Sequence, residues 1–218
     1  MKLPTPRLIG HAPAGTSSGA GGSRGRLRGL PDDLLRDASR RLAVVALLGA
    51  ILWIVGPGLD HLALGTPLGP PDVIAAVSAA FSFALFLYTR WSTRSPGFLL
   101  DLGLCYQILT AAAIGLLMHL SPEAPSYEVR PVFTWIGIVV LLFAAIIPSS
   151  PGKTFVASLF SVAMGPLAML LAKARGTWDF GPDSKILLMH YPDFILVGVA
   201  VVISHVVTGL GRQVTRAR

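Results

Sequence analysis

Residues Ile147 to Thr154 read IPSSPGKT and end on the Gly-Lys-Thr of a phosphate-binding loop. Such a loop has the form G-x-x-x-x-G-K-[ST], and its backbone N–H groups wrap a phosphate. Here Ile147 occupies the first glycine position, and Pro148 and Pro151 each remove an N–H donor. An apolar block precedes the stretch, where a soluble strand is needed. It therefore reads as a tight turn, with Thr154 capping the next helix and Lys153 marking the inner side of a membrane.

Asp101, Gln107 and His205 stand inside apolar blocks. An acid within a membrane is a functional candidate by default, because burying its charge is costly. Asp101 lies near the predicted inner edge of its block, within reach of Arg90 or Arg94. Gln107 follows on the same block but does not share its face closely. His205, with Ser204 and Thr208, is placed to bond across helices. His61, His119 and His190 fall near the outer ends of blocks and show no ligand spacing. Within the predicted spans no His/Glu pair stands at i,i+3 or i,i+4, so the sequence assigns no metal ligand. The single cysteine, Cys105, cannot form an internal disulfide. No nucleophile elbow, zincin helix, kinase loop or dinucleotide fingerprint is present, so no catalytic or cofactor-binding residue is assigned and no cofactor is expected.

The elements that must carry these residues are helices in a bilayer. The 218 residues are 53% hydrophobic and 13% charged, against about a quarter charged in soluble domains. Mean hydropathy is +0.66. The apolar blocks do not alternate as barrel strands do. They predict an all-α polytopic membrane protein with six transmembrane helices. The spans run from about 42 to 59, 73 to 88, 98 to 120, 132 to 147, 154 to 172 and 194 to 210. Gly56-Pro57-Gly58 closes the first, Pro131 and Pro148 bracket the fourth, and the sixth, if it starts nearer Ile186, is distorted at Pro192. Residues 30–41 (LPDDLLRDASRR) predict a juxtamembrane amphipathic helix with Asp32/Arg36 and Asp37/Arg41 pairs. Its Leu34, Leu35, Ala38 and Leu42 share one face. Residues 1–29 are rich in Gly, Ser and Arg, lack a signal-peptide core, and predict a disordered tail.

Six spans put both termini on one side. Most of the 18 Lys and Arg residues then fall on the side of the termini, and the other side holds Arg130, Lys173, Arg175 and Lys185. The positive-inside rule makes that majority side cytoplasmic. The pI of 10.2 follows from this topology, and no aromatic-interleaved basic face points to nucleic acid. Tyr88 and Trp91 at the inner edge, and Trp178 and Tyr191 at the outer, suit interfacial anchoring. Small-residue pairs Ala46/Ala50, Ala75/Ala79, Ala76/Ala80 and Ala111/Gly115 permit close helix packing, within the chain or in a dimer.

Leu30 to Trp53 (LPDDLLRDASRRLAVVALLGAILW), Pro148 to Ala172 (PSSPGKTFVASLFSVAMGPLAMLLA) and the terminal SHVVTGLGRQVTRAR together resemble one group of proteins. It is the amino-terminal membrane region of bacterial eukaryotic-like serine/threonine protein kinases. In that family an acidic/basic juxtamembrane helix precedes several spans. A P-[ST]-x-P-x-K-T turn opens a later span, and a GRQV-like basic segment leads from the last span into the kinase domain. Gly165 stands where an acidic residue is expected. The resemblance implies a membrane anchor and sensory module for a cytoplasmic kinase domain that would start after Arg218, with residues 211–218 as the basic exit. The partners expected are the lipid bilayer of the inner membrane, the kinase domain and a second copy. A stand-alone transporter or channel, or a membrane assembly protein, is the alternative.

Overall fold

Helix α1 covers Asp32–Leu64, joining the predicted juxtamembrane helix and first span without a break. The computed structural model describes residues 32–119, 131–176 and 181–217; the predicted tail at 1–29, Arg130, Trp178 and Arg218 lie outside them. Pro57 does not close the first span as expected. A helix crossing lipid keeps its backbone paired internally even at the loss of one N–H, so it continues through proline. It ends instead at Gly65, whose φ of 65° is the left-handed conformation that glycine adopts without strain. The Gly65 N–H donates to the His61 carbonyl at 3.1 Å.

Helix α2 (Pro70–Trp91), α3 (Pro96–His119) and α5 (Pro151–Ala174) each extend a few residues beyond the predicted spans. Each begins with proline in its first turn, where the missing N–H would have no partner anyway. The predicted fourth span is shorter than expected: α4 covers Trp135–Ile146, 12 residues. Pro148 pushes Ile147 into extended backbone, φ −97° and ψ 103°, and so stops the helix early. The predicted sixth span is α7, Tyr191–Ala217. A short helix, α6 (Asp183–Met189), takes in Ile186, and the chain turns at His190 before α7, which has Pro192 in its first turn; the distortion expected near Pro192 falls there. All described elements are helical, and five of them, α1, α2, α3, α5 and α7, are long and apolar enough to cross a membrane.

The starts of α3 and α5 lie together at one end of the bundle, and the starts of α4 and α7 at the other. Leu42 of α1 and Ile147 after α4 both meet Gly103 near the start of α3. Asp101 of α3 and Lys153 of α5 pair at that same end. At the opposite end His61 of α1 meets Asp72 of α2, and Thr134 before α4 meets Asp193 of α7. The predicted amphipathic face is buried: Leu35, Ala38, Leu42 and Ala46 join Leu100, Phe143, Ile147 and Ala157 in one core. The Asp37–Arg41 pair forms at 2.7 Å on the exposed side. The later half of α1 is largely exposed, with Leu52 at 67% and Leu62 at 85%. That is the surface expected of a helix facing lipid.

Of the small pairs, Ala46/Ala50, Ala75/Ala79 and Ala111/Gly115 are buried, whereas Ala76/Ala80 is exposed. At Gly115 the α5 backbone comes closest, since a Cβ would lie 2.9 Å from the Met164 carbonyl oxygen. Gly115→Ala is expected to cost about 1–3 kcal/mol, as overpacked sites do. Gly198→Ala, with nothing within 4 Å, should cause no loss. Unfolding of both variants in detergent micelles, followed by circular dichroism, checks the contrast.

Candidate functional site

Helix α4, at 1.5 Å per residue, is only about 18 Å long. Its ends therefore fall within the bundle, where backbone groups without intrahelical partners need side chains. At its start Thr134 is the N-cap, and its Oγ1 accepts from the Ile136 N–H at 3.1 Å. The Asp193 carboxylate of α7 is 0% exposed. It accepts from the Thr134 N–H at 3.1 Å and from the Thr134 hydroxyl at 2.6 Å. A negative charge beside a helix start is electrostatically favoured. Gly137 makes the approach feasible, because a Cβ there would sit 2.6 Å from Asp193 Oδ1.

Beyond the other end of α4 three hydroxyls close a ring. Ser149 Oγ lies 2.6 Å from Thr154 Oγ1, Thr154 donates to Ser204 at 2.9 Å, and Ser204 donates to the Ser149 carbonyl at 2.8 Å. Ser150, not Thr154, caps α5: its side chain accepts from the Lys153 N–H at 3.4 Å. The Thr154 hydroxyl points inward instead, because α4 has to be joined to α5 and α7 there.

At the Asp193 end, residues of α3, the end of α6 with His190, and α4 with the segment before it line a cleft of about 360 Å³, with Met118, His119, Phe133, Trp135, Met189 and His190 among them. His119 Nδ1 donates to the Gly115 carbonyl at 2.8 Å, and His190 Nδ1 donates to the Ile186 carbonyl at 2.9 Å. A carbonyl only accepts, so each Nδ1 carries hydrogen. The two rings lie 6.4 Å apart between centroids. Gly165 of α5 leaves room for His190: a Cβ would be 2.7 Å from Cδ2 and 2.8 Å from Nε2. A larger side chain, such as the acidic one expected at this position, would displace the imidazole. Sequence reading kept these histidines apart because His119 and His190 are remote in the chain. The available signal was that each follows a methionine at the outer end of an apolar block.

The residues singled out from sequence do not converge on one site. Asp101 pairs with Lys153, at 2.6 Å and 2.7 Å, and not with Arg90 or Arg94. The reason is topological, since α3 and α5 run parallel and start together. Both side chains are nearly half exposed. Gln107 is buried, and its Nε2 donates to Ser161 Oγ at 3.2 Å, linking α3 to α5. His205 is exposed, and the cross-helix bond expected of that region is made by its neighbour Ser204. At the end of the bundle where Lys173 and Arg175 count against the predicted orientation, Lys173 pairs with Asp183 at 2.6 Å. Among the described residues no group of three or more His, Cys, Asp or Glu side chains comes together. No known protein family, curated protein or solved structure matches the chain.

Removing the Asp193 carboxylate should strip two bonds from the buried start of α4. Asp193→Ala is expected to lose about 1.5–3 kcal/mol, the scale of hydrogen bonds to a charged group, in micelle unfolding. Lys153 and Asp101 should behave otherwise. A double-mutant cycle of Asp101→Asn and Lys153→Met is expected to give a coupling of no more than about 1 kcal/mol, as exposed pairs do.

Proposed function

We propose that this chain is a six-pass module of the bacterial inner membrane, with both ends cytoplasmic, that anchors a serine/threonine kinase domain and conveys signals to it. The observation that carries the reading is α7, one unbroken helix from Tyr191 to Ala217. Its 27 residues extend about 40 Å at 1.5 Å each, whereas the hydrocarbon core is about 30 Å thick. Its last turns, GRQVTRA, therefore leave the bilayer still helical and can pass motion to whatever follows.

The charge distribution supports the orientation. The end of the bundle with Asp101 and Lys153 also carries Arg36, Arg40, Arg41, Arg90 and Arg94 on flanking helix ends. The opposite end is rich in Asp60, Asp72, Asp183 and Asp193, and one of its lysines, Lys173, is neutralised by Asp183. That is the asymmetry expected of a cytoplasmic and an external face. The fourth pass is α4, completed by the extended residues before it and the turn after it, and shielded by its neighbours. The kinase half of the reading rests on the resemblance of residues 30–53, 148–172 and the terminal segment to kinase membrane regions.

Single cysteines introduced into a Cys105→Ala background test the topology. Gln213→Cys should react with a membrane-impermeant maleimide only after permeabilisation, and Thr66→Cys should react in intact spheroplasts. The reverse pattern sinks the topology. The coding sequence after Arg218 is expected to continue into a glycine-rich nucleotide loop and a catalytic lysine; a stop codon there removes the kinase assignment.

A further inference from the structure

We propose that His61, held as an imidazolium between α1 and α2, is a proton-controlled latch on the connection of residues 65–69, closed at neutral and mildly acid pH and released by alkali. The geometry fixes the charge. His61 Nδ1 lies 2.6 Å from the Thr66 carbonyl oxygen, and Nε2 lies 2.7 Å from Asp72 Oδ1. A carbonyl and a carboxylate only accept, so both ring nitrogens carry hydrogen and the ring is cationic. Asp72 is the matching anion, and its Oδ2 accepts the Gly69 N–H at 2.7 Å. One ring thus ties the last turn of α1 to the connection and to the first turn of α2. Burial does little to hold the connection, since Leu64 and Leu68 are both exposed.

The latch stands outside the hydrocarbon. The 33 residues of α1 extend about 50 Å at 1.5 Å each, against a core of about 30 Å, and His61 is in the final turn. The charged groups acting on the ring are Asp72 from α2 and Asp60 from α1. The Thr66 carbonyl first, and then the Asp72 carboxylate, raise the His61 pKa above its ordinary value of about 6.5. The Gly69 N–H and the imidazolium lower that of Asp72. With Asp72 ionised, the latch contributes fully below about 6.5 and is lost as pH rises through the raised His61 value. A neutral ring carries one hydrogen. Either tautomer therefore sets a bare nitrogen against the Asp72 carboxylate or the Thr66 carbonyl. The Thr66 hydroxyl, 3.1 Å from Nδ1, is placed to donate to the neutral ring when that carbonyl leaves. The latch does not depend on an attached kinase; only the side whose acidity it reads rests on the orientation proposed above.

The full chain with isotope-labelled histidine is followed by NMR in detergent micelles from about pH 5 to 9, the range around the histidine transition. Micelles leave both faces open, so orientation does not enter. The His61 signal, assigned by its loss in His61→Gln, should show both ring nitrogens protonated at neutral pH. It should titrate above about 6.5, and Asp72→Asn should bring it back toward that value. Hydrogen exchange of the Gly69 amide, corrected for the intrinsic effect of pH, reads the latch itself. Its protection should fall about tenfold for each unit by which the His61 pKa is raised, with amides in the middle of α3 unchanged. In His61→Gln that protection should be low and independent of pH. A His61 pKa at or below about 6.5, Gly69 protection that ignores pH, or the same pH dependence in His61→Gln would overturn the latch.

Discussion

The fold depends on having a helix too short to bring its own ends out of the bundle. With only 12 residues, α4 is too short to carry its terminal N–H and C=O groups across a bilayer of about 30 Å. Such groups cost several kcal/mol each in an apolar medium. Both ends are therefore met by side chains from α7: Asp193 at the start, and Ser204 just beyond the finish. This one requirement explains why α4 and α7 run side by side in the same direction. It also explains why Thr154, at the start of α5, turns inward, and why glycine stands at position 137.

The same requirement shapes the buried stripe of α7. Asp193, Val197, Ala200, Ser204 and Thr208 are its buried residues at successive helical turns, all small or polar except one valine. Helix α5 answers with Thr154, Ser158, Ser161 and Gly165, also buried and on one face. In lipid, apolar bulk between helices gives little drive to associate, so close backbone approach and interhelical hydrogen bonds supply it. Many of the bulky residues on the other faces are turned outward, as with Leu52, Leu62, Leu167 and Val202. The interior mixes apolar clusters with buried hydroxyls, and the Ser158 hydroxyl has no partner among the described residues.

The helices were legible in the sequence wherever apolar length and a proline at the start agreed, as at 96–119 and 151–174. The ends were less so. Gly56-Pro57-Gly58 reads as a stop by local propensity, yet backbone satisfaction in an apolar setting carries α1 to Gly65. Partner choice was legible only where it was local, as in Asp37–Arg41. Asp101 finds Lys153, and His119 finds His190, through the order in which helices reverse, which no local pattern encodes. His205 was favoured over Ser204 because histidine draws the eye. The stripe at 193, 197, 200, 204 and 208 was already in the sequence and excludes 205 by one position.

Helix α7 is tied at two heights, near its own start to the cap of α4 through Asp193 and close to its middle to the α4–α5 turn and the start of α5 through Ser204. Mechanically it is a lever whose fulcrum is the hydroxyl ring around Ser149. The load arm ends in the basic turns before Ala217, and the effort arm ends beside the paired imidazoles. A tilt about that fulcrum moves the two ends in opposite directions by comparable amounts. Because Ser149, Thr154 and Ser204 can exchange hydrogen bonds among themselves, the pivot can rotate without leaving a bare polar group behind.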